Sequence, residues 1–175
     1  TENDLIVDID HLPKETIKKM LKTFNINTQT VWTDRGVHLY FKKPTTFRGA
    51  SAITPLGFEV EFKHIKNTKS ITIKRRGQMR EVENKGVREA LPFVLSNSVS
   101  KLDSLYGLDD GDGRNPKLYR HKMKLNRHKY TDAILAFIND YIFAEPLDQS
   151  EVEQVSRSSD STSSDEDEHY AKATE

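Results

Sequence analysis

The chain contains no cysteine. That one absence removes a disulfide framework, thiolate zinc sites and a cysteine nucleophile together. No apolar run approaches the length of a membrane span, and the N-terminus lacks a signal-peptide pattern. The expectation is a soluble intracellular protein without a membrane partner. There is no internal repeat, and no His-apolar-His pair of the kind that ligates metal in rolling-circle initiators. With 35 % hydrophobic and 31 % charged residues in a chain of 175, a modest core is expected: one domain plus a small appendage. The chain starts at Thr1 and reaches an apolar strand almost at once, which leads us to expect a segment missing before it.

Net charge is also lacking, but only in total. Residues 157–175 carry six acids (Asp160, Asp165, Glu166, Asp167, Glu168, Glu175) against Arg157 and Lys172. The rest of the chain is therefore basic, with 25 Lys and Arg against 21 Asp and Glu. A basic body with an acidic tail suits a polyanion binder whose tail competes for the same surface. The plainer reading is a solubilising tail.

The pattern along residues 1–97 predicts an α+β domain. Leu5-Ile6-Val7-Asp8-Ile9-Asp10 reads as a buried strand ending in carboxylates. Pro13 opens a helix whose apolar face is Ile17, Met20, Leu21 and Phe24. Strands are expected at 30–33 and 37–41, joined by Asp34-Arg35-Gly36, with Gly36 free to take a positive φ. Residues 42–56 read as a loop. Phe58, Val60 and Phe62 alternate with Glu59, Glu61 and Lys63 in a half-buried strand, and Ser70 to Lys74 reads as another before the turn at 75–78. Ser, Asp and Gly in 98–113 suggest a linker. Residues 114–158 form a helical module: two helices broken near 126–131, then a short one at 148–157. The acidic tail, 159–175, is expected to be disordered.

Five groups of residues can carry chemistry. Period-two geometry puts Asp8 and Asp10 on one strand face, where their mutual repulsion favours a divalent cation, Mg²⁺ or Mn²⁺. The alternative is a solvated strand end whose Asp10 caps the following helix. His38 lies on the polar side of its strand, and with Arg35 and the Gly36 amide it can meet a phosphate. A surface histidine on a hairpin is the plainer case. Glu59 and Glu61 also share a face, so one of them can complete a metal cage, or both can be salt-bridged to nearby lysines. Nine Lys and Arg between Lys63 and Glu89, among them Lys63, Lys74, Arg75, Arg76 and Arg80, can bind template phosphates or a triphosphate. Arg114, Lys117, Arg120 and Lys124 recur at helical spacing and can lie along a phosphate backbone. For the stretch from Lys63 to Glu89, a solvated face is the simpler explanation if nothing else points to nucleic acid.

In order, the Asp8-x-Asp10 strand, the Gly36-Val37-His38 strand ending in Tyr40-Phe41 and the Gly57-Phe58-Glu59 strand resemble the archaeo-eukaryotic primase superfamily. The likeness is to the primase-polymerase branch carried by phages, plasmids and mobile islands. Residues 113–119, then Ile138-Asn139, Pro146-Leu147 and 151–158, are similar to the helical module that follows such primases. The resemblance implies an RNA-recognition-like catalytic lobe, N-terminally incomplete here, then that helical module. It implies a DNA primase-polymerase that makes primers on single-stranded DNA from nucleoside triphosphates, with a replicative helicase as partner, in the cytoplasm of a bacterial host. Asp8 and Asp10 would ligate Mg²⁺ or Mn²⁺, His38 would contact the triphosphate, and the third acid would be Glu59 by its spacing from Gly57, with Glu61 as rival. Two alternatives are a non-catalytic replication-associated DNA-binding protein retaining the primase fold, and a metal-dependent nuclease.

Overall fold

The structure is a computed structural model that describes residues 3–64, 74–75, 78–126 and 128–158. Two compact units emerge, one made of residues 1–52 and 59–97, the other of 53–58 and 98–175. The α+β expectation holds, with an antiparallel core sheet and four α-helices among the described residues.

The first unit is built on strand β1 (Asp4–Asp10). Helix α1 (Lys14–Thr23) follows, and then the hairpin of β2 (Gln29–Trp32) and β3 (Gly36–Lys42). After β4 (Ser51–Ile53) comes β5 (Glu59–His64). Short strands complete the set: β6 (Lys74–Arg75) paired with β7 (Gln78–Met79), then β8 (Val82–Glu83) and β9 (Glu89–Ala90). The main sheet runs β4-β5-β1-β3-β2-β8, and β9 adds to the end of β3. β1 lies between β3 and β5, antiparallel to both. β1 and β2 are thus parallel to each other, joined through α1 and separated by β3, which is a split β-α-β unit.

Each face of that sheet follows from alternation. Leu5, Val7 and Ile9 are fully buried with Val37, Leu39 and Phe41. α1 covers this side: it buries Ile17 and Met20, and the Lys14 ammonium lies 5.0 Å from the centre of the Trp32 ring. On the other face stand Asp4, Ile6, Asp8 and Asp10, opposite Lys42, Tyr40, His38 and Gly36 of β3. Ile6, Tyr40 and Val31 form a small apolar cluster there, with Val82 packed against it. At its edge Arg88 meets Asp4 with Nε–Oδ1 3.1 Å and Nη2–Oδ2 3.3 Å, and stacks 4.8 Å from the Tyr40 ring. This fork neutralises a carboxylate that is 4 % exposed.

Three expectations change. Residues 42–56 are not all loop, because Ser51–Ile53 forms the sheet's outer strand. Gly36 does not take a positive φ. It is glycine because a Cβ there would stand 1.7 Å from the Ile9 carbonyl oxygen. Residues 98–113 hold no helix or strand, yet Leu102 and Leu105 are buried and the Leu105 and Gly107 amides donate to Gly57 and Ile142. They are a packed part of the second unit rather than a free tether. The strand expected over 70–73 and the tail 159–175 lie outside the described residues.

The second unit packs α2 (Arg114–Leu125), α3 (Thr131–Phe137), which runs on into a π-type turn at Ile138–Ile142, and α4 (Gln149–Arg157). Its polar interior is specific. The Asn139 side chain receives the Leu147 amide at 2.7 Å and donates to the Leu147 carbonyl at 3.1 Å. Lys122 is buried, and its ammonium donates to the carbonyls of Val155, Ser156 and Ser158 at the end of α4. A cation there satisfies carbonyls that the helix leaves open and complements its dipole. His121 Nε2 donates to the Pro55 carbonyl at 2.6 Å, since that oxygen can only accept. Burial pushes its imidazole below the ordinary 6.5, so the neutral ring with the proton on Nε2 fits.

Candidate functional site on the polar face of the sheet

The polar face of β1 gathers the residues of interest within the first unit. In register, Asp8 stands opposite His38 on one side and Glu61 on the other. Asp8 is 6 % exposed. Its Oδ2 accepts from the Lys63 ammonium at 2.8 Å, and His38 Nε2 lies 3.5 Å from the same oxygen. Its Oδ1 is buried and has no hydrogen-bond partner among the described residues, and the same holds for His38 Nδ1. Burial alone would raise the Asp8 pKa; the hydrogen bonds and charges of His38 and Lys63 outweigh it and bring the carboxyl from 3.8 down to about 2.

That shift is a stability statement. The folded pKa lies below the unfolded one, so the contribution is present above about pH 4 and is lost as pH falls toward 2. It amounts to about 2 kcal/mol. Urea unfolding followed between about pH 5 and pH 2 should show the wild type losing that much more stability than Asp8→Asn. Parallel pH profiles would refute the pairing.

Beside this cluster lies a cleft of about 230 Å³ lined by Asp10, Thr33, Asp34, Arg35, His38, Lys63 and Arg80. Three of its seven lining residues are permanent or near-permanent cations, which suits a phosphate-bearing ligand. Asp10 is partly exposed at its rim and does not cap α1, whose first turn has no side-chain cap. His38 is buried rather than a surface histidine. The Gly36 amide, expected to face an anion, donates instead to Thr33 Oγ1 at 3.0 Å. Glu59 and Glu61 are both exposed on β5, but only Glu61 is paired in register with Asp8. The Lys63 pKa is raised chiefly by its hydrogen bond to Asp8, against the effect of burial, and further by the charges of Asp8, Glu61 and Asp10. Glu59 contributes nothing comparable. Among the described residues, no three His, Asp or Glu side chains are gathered closely enough to hold a metal ion.

The remaining sequence candidates divide. Lys74 and Arg75 lie on β6, while Arg76 lies outside the described residues. In the second unit, Arg114 is committed to the Glu145 carbonyl and lies 3.8 Å from Asp110. Lys124 is exposed and donates to the Lys101 carbonyl at 2.7 Å. Arg120 is exposed and Lys117 partly so. Sequence reasoning passed over Thr33 as a cleft residue and Asp4 as a buried anion, although Asp4 sits on the same period-two face as Asp8 and Asp10. No helix among the described residues is long and apolar enough to cross a membrane. No family model matches the chain, and no curated protein or solved structure matches it either.

Proposed function

We propose that this protein is a nucleotidyltransferase of the primase-polymerase kind, making primers on a single-stranded DNA template. The observation that carries the reading is the convergence of Asp8, Asp10, His38 and Glu61 on one sheet face, next to a cleft lined by Arg35, Lys63 and Arg80. The split β-α-β order supports the RNA-recognition-like lobe that the motifs imply. Its second crossover departs from the expected pattern, passing through β4 and residues 53–58 without a helix.

In the reaction, the 3′-hydroxyl oxygen bonds to the α-phosphorus of a nucleoside triphosphate. The bond from that phosphorus to the bridging oxygen breaks, pyrophosphate leaves and the hydroxyl proton passes to solvent. Arg35, Arg80 and Lys63 neutralise the triphosphate in the cleft. His38 lines the cleft with Nε2 toward Asp8, and its Nδ1 is buried with no partner among the described residues, so the proposed contact with a phosphate oxygen requires the ring to turn. Mg²⁺ or Mn²⁺ is the proposed ion; holding it requires Asp8, Asp10 and Glu61, hard oxygen donors on one face, to draw closer than they stand, because no three acid or histidine side chains among the described residues are gathered closely enough to hold a metal. Held by those residues, such an ion would supply Lewis acidity toward the attacking hydroxyl and the departing pyrophosphate. Lys74 and Arg75 remain candidates for the triphosphate, Arg76, Lys117, Arg120 and Lys124 for template phosphates, and a replicative helicase is the proposed partner in a bacterial cytoplasm.

The test is template-directed incorporation of labelled nucleotides with Mg²⁺ or Mn²⁺. Asp8→Asn with Asp10→Asn is expected to lower it by at least about a thousandfold while single-strand binding persists. Unchanged synthesis would falsify the assignment. One observation favours a second reading, a non-catalytic replication-associated DNA-binding protein with the same fold: Asp8 is already charge-paired by Lys63. That reading predicts salt-sensitive single-strand binding and no incorporation by wild type or variant.

A further inference from the structure

The turn between α2 and α3 in the second unit shows its rings instead of burying them. Tyr130 is 46 % exposed, although Leu125 before it and Ile134 after it are buried. It is also held in place. The His128 ring lies 5.5 Å from it, centroid to centroid, at 36°. His128 Nδ1 accepts from the Tyr130 amide at 3.3 Å. The His128 carbonyl accepts from the Thr131 amide at 2.9 Å and from the Thr131 hydroxyl at 2.7 Å, which pins the turn to the start of α3. The Lys129 ammonium stands 5.0 Å from the centre of the Tyr130 ring. A ring fixed in this way loses little further freedom when a flat ligand is laid on it.

The surrounding charge selects that ligand. Residues 120–130 carry five Lys and Arg and no Asp or Glu. Lys122 is turned to the end of α4, but Arg120, Lys124 and Lys129 are exposed. An exposed ring among cations matches a polyanion with free π-faces: phosphates meet the cations and an unpaired base meets the ring. We propose that Tyr130, oriented by His128, is a stacking platform for one unpaired base of a single-stranded nucleic acid. The inference rests on the template reading above and deepens it. Cations alone do not tell a single strand from a duplex, whose bases are already stacked on one another; the ring does. When the base arrives, the Lys129 ammonium, on its flexible exposed stem, leaves the ring for the phosphate beside that base.

The experiment is fluorescence anisotropy of the full chain with labelled strands of about twelve nucleotides: oligothymidylate, oligouridylate and an abasic deoxyribose strand of the same length. Wild type is compared with Tyr130→Ala, Tyr130→Leu and Tyr130→Phe, each checked for folding by circular dichroism. Tyr106→Ala, which removes another exposed tyrosine of the same unit, is the control. Tyr130→Ala and Tyr130→Leu should bind oligothymidylate on the order of tenfold more weakly than wild type, with Tyr130→Phe and Tyr106→Ala within about twofold. The loss should be equal at low and high salt, because a ring releases no counterion. The abasic strand should bind wild type and Tyr130→Ala alike. A matching loss on oligouridylate extends the platform to RNA, and its absence there confines the platform to DNA; both uphold the stacking. Equal affinity of wild type, Tyr130→Ala and Tyr130→Leu for both base-bearing strands overturns the platform and leaves single-strand binding standing. An equal loss on the abasic strand, or in Tyr106→Ala, reduces the effect to fold or charge and overturns it too. No strand bound by wild type overturns the platform together with the template reading.

Discussion

Gly36→Ala is expected to disrupt the sheet of the first unit, with a loss on the order of 4–5 kcal/mol or more. The added Cβ would stand 1.7 Å from the Ile9 carbonyl oxygen, 2.8 Å from its carbon and 3.2 Å from the Asp10 Cα. All three are backbone atoms, so no side-chain rotation relieves the clash. Gly36 is also the register partner of Asp10, its amide donates to Thr33 Oγ1, and the preceding Arg35 carbonyl accepts from the His11 amide. Separating β1 from β3 at this point breaks these bonds and moves Asp8 and Asp10 away from His38. A loss of that size is a large share of a domain's total stability. The control is Gly86→Ala, at φ +84° with nothing within 4 Å of the added carbon, which should cost only the roughly 1–2 kcal/mol of a left-handed alanine. Urea midpoints of the two variants decide the matter. A shift for Gly36→Ala no larger than for Gly86→Ala would show that the close approach is not what makes this residue glycine.

Gly36 also shows what kind of information a sequence carries. That it mattered was visible from Asp34-Arg35-Gly36 between two alternating segments. Why it mattered was not, since the clash is with a strand 27 residues away in sequence. The same division runs through the fold. Alternation at 58–63 predicted a half-buried strand, and Glu59–His64 alternates exposed and buried as expected. The helix after Pro13 and the three helical segments of the second unit were legible from spacing and breakers. What stayed hidden depends on distant partners. Lys122 stands in sequence among the cations of α2, but it closes the end of α4, 33 to 36 residues further on. Pro55 gave no local sign that its carbonyl would be held by His121, 66 residues away. Asp4 reads as an unremarkable strand start until Arg88 is seen to fork it from 84 residues downstream. Local periodicity fixes which face a side chain takes; it says nothing about which charge from another element arrives there.

The choice between the two acids of β5 is the same problem in its sharpest form, and it has a measurable answer. Spacing from Gly57 pointed to Glu59 as the third catalytic acid. Register points to Glu61, which pairs with Asp8 in the β1–β5 ladder, and the ladder ends there. Both side chains are exposed and both lie on the polar face, so alternation could not separate them. Only Glu61 acts with Asp8 and Asp10 on Lys63. Glu61→Gln keeps the shape and removes the charge. It is therefore expected to lower template-directed incorporation by on the order of a hundredfold or more, because a neutral amide oxygen is a weaker ligand for a hard cation. Glu59→Gln should stay within about threefold of wild type, as expected for an exposed surface substitution. The assay is single-nucleotide incorporation at one limiting Mn²⁺ concentration, where weaker ligation shows as lost activity. If Glu59→Gln is the damaging variant, the β1–β5 register does not organise the site. If both are harmless, the proposed third acid is not on β5, and the proposed catalytic set reduces to Asp8 and Asp10.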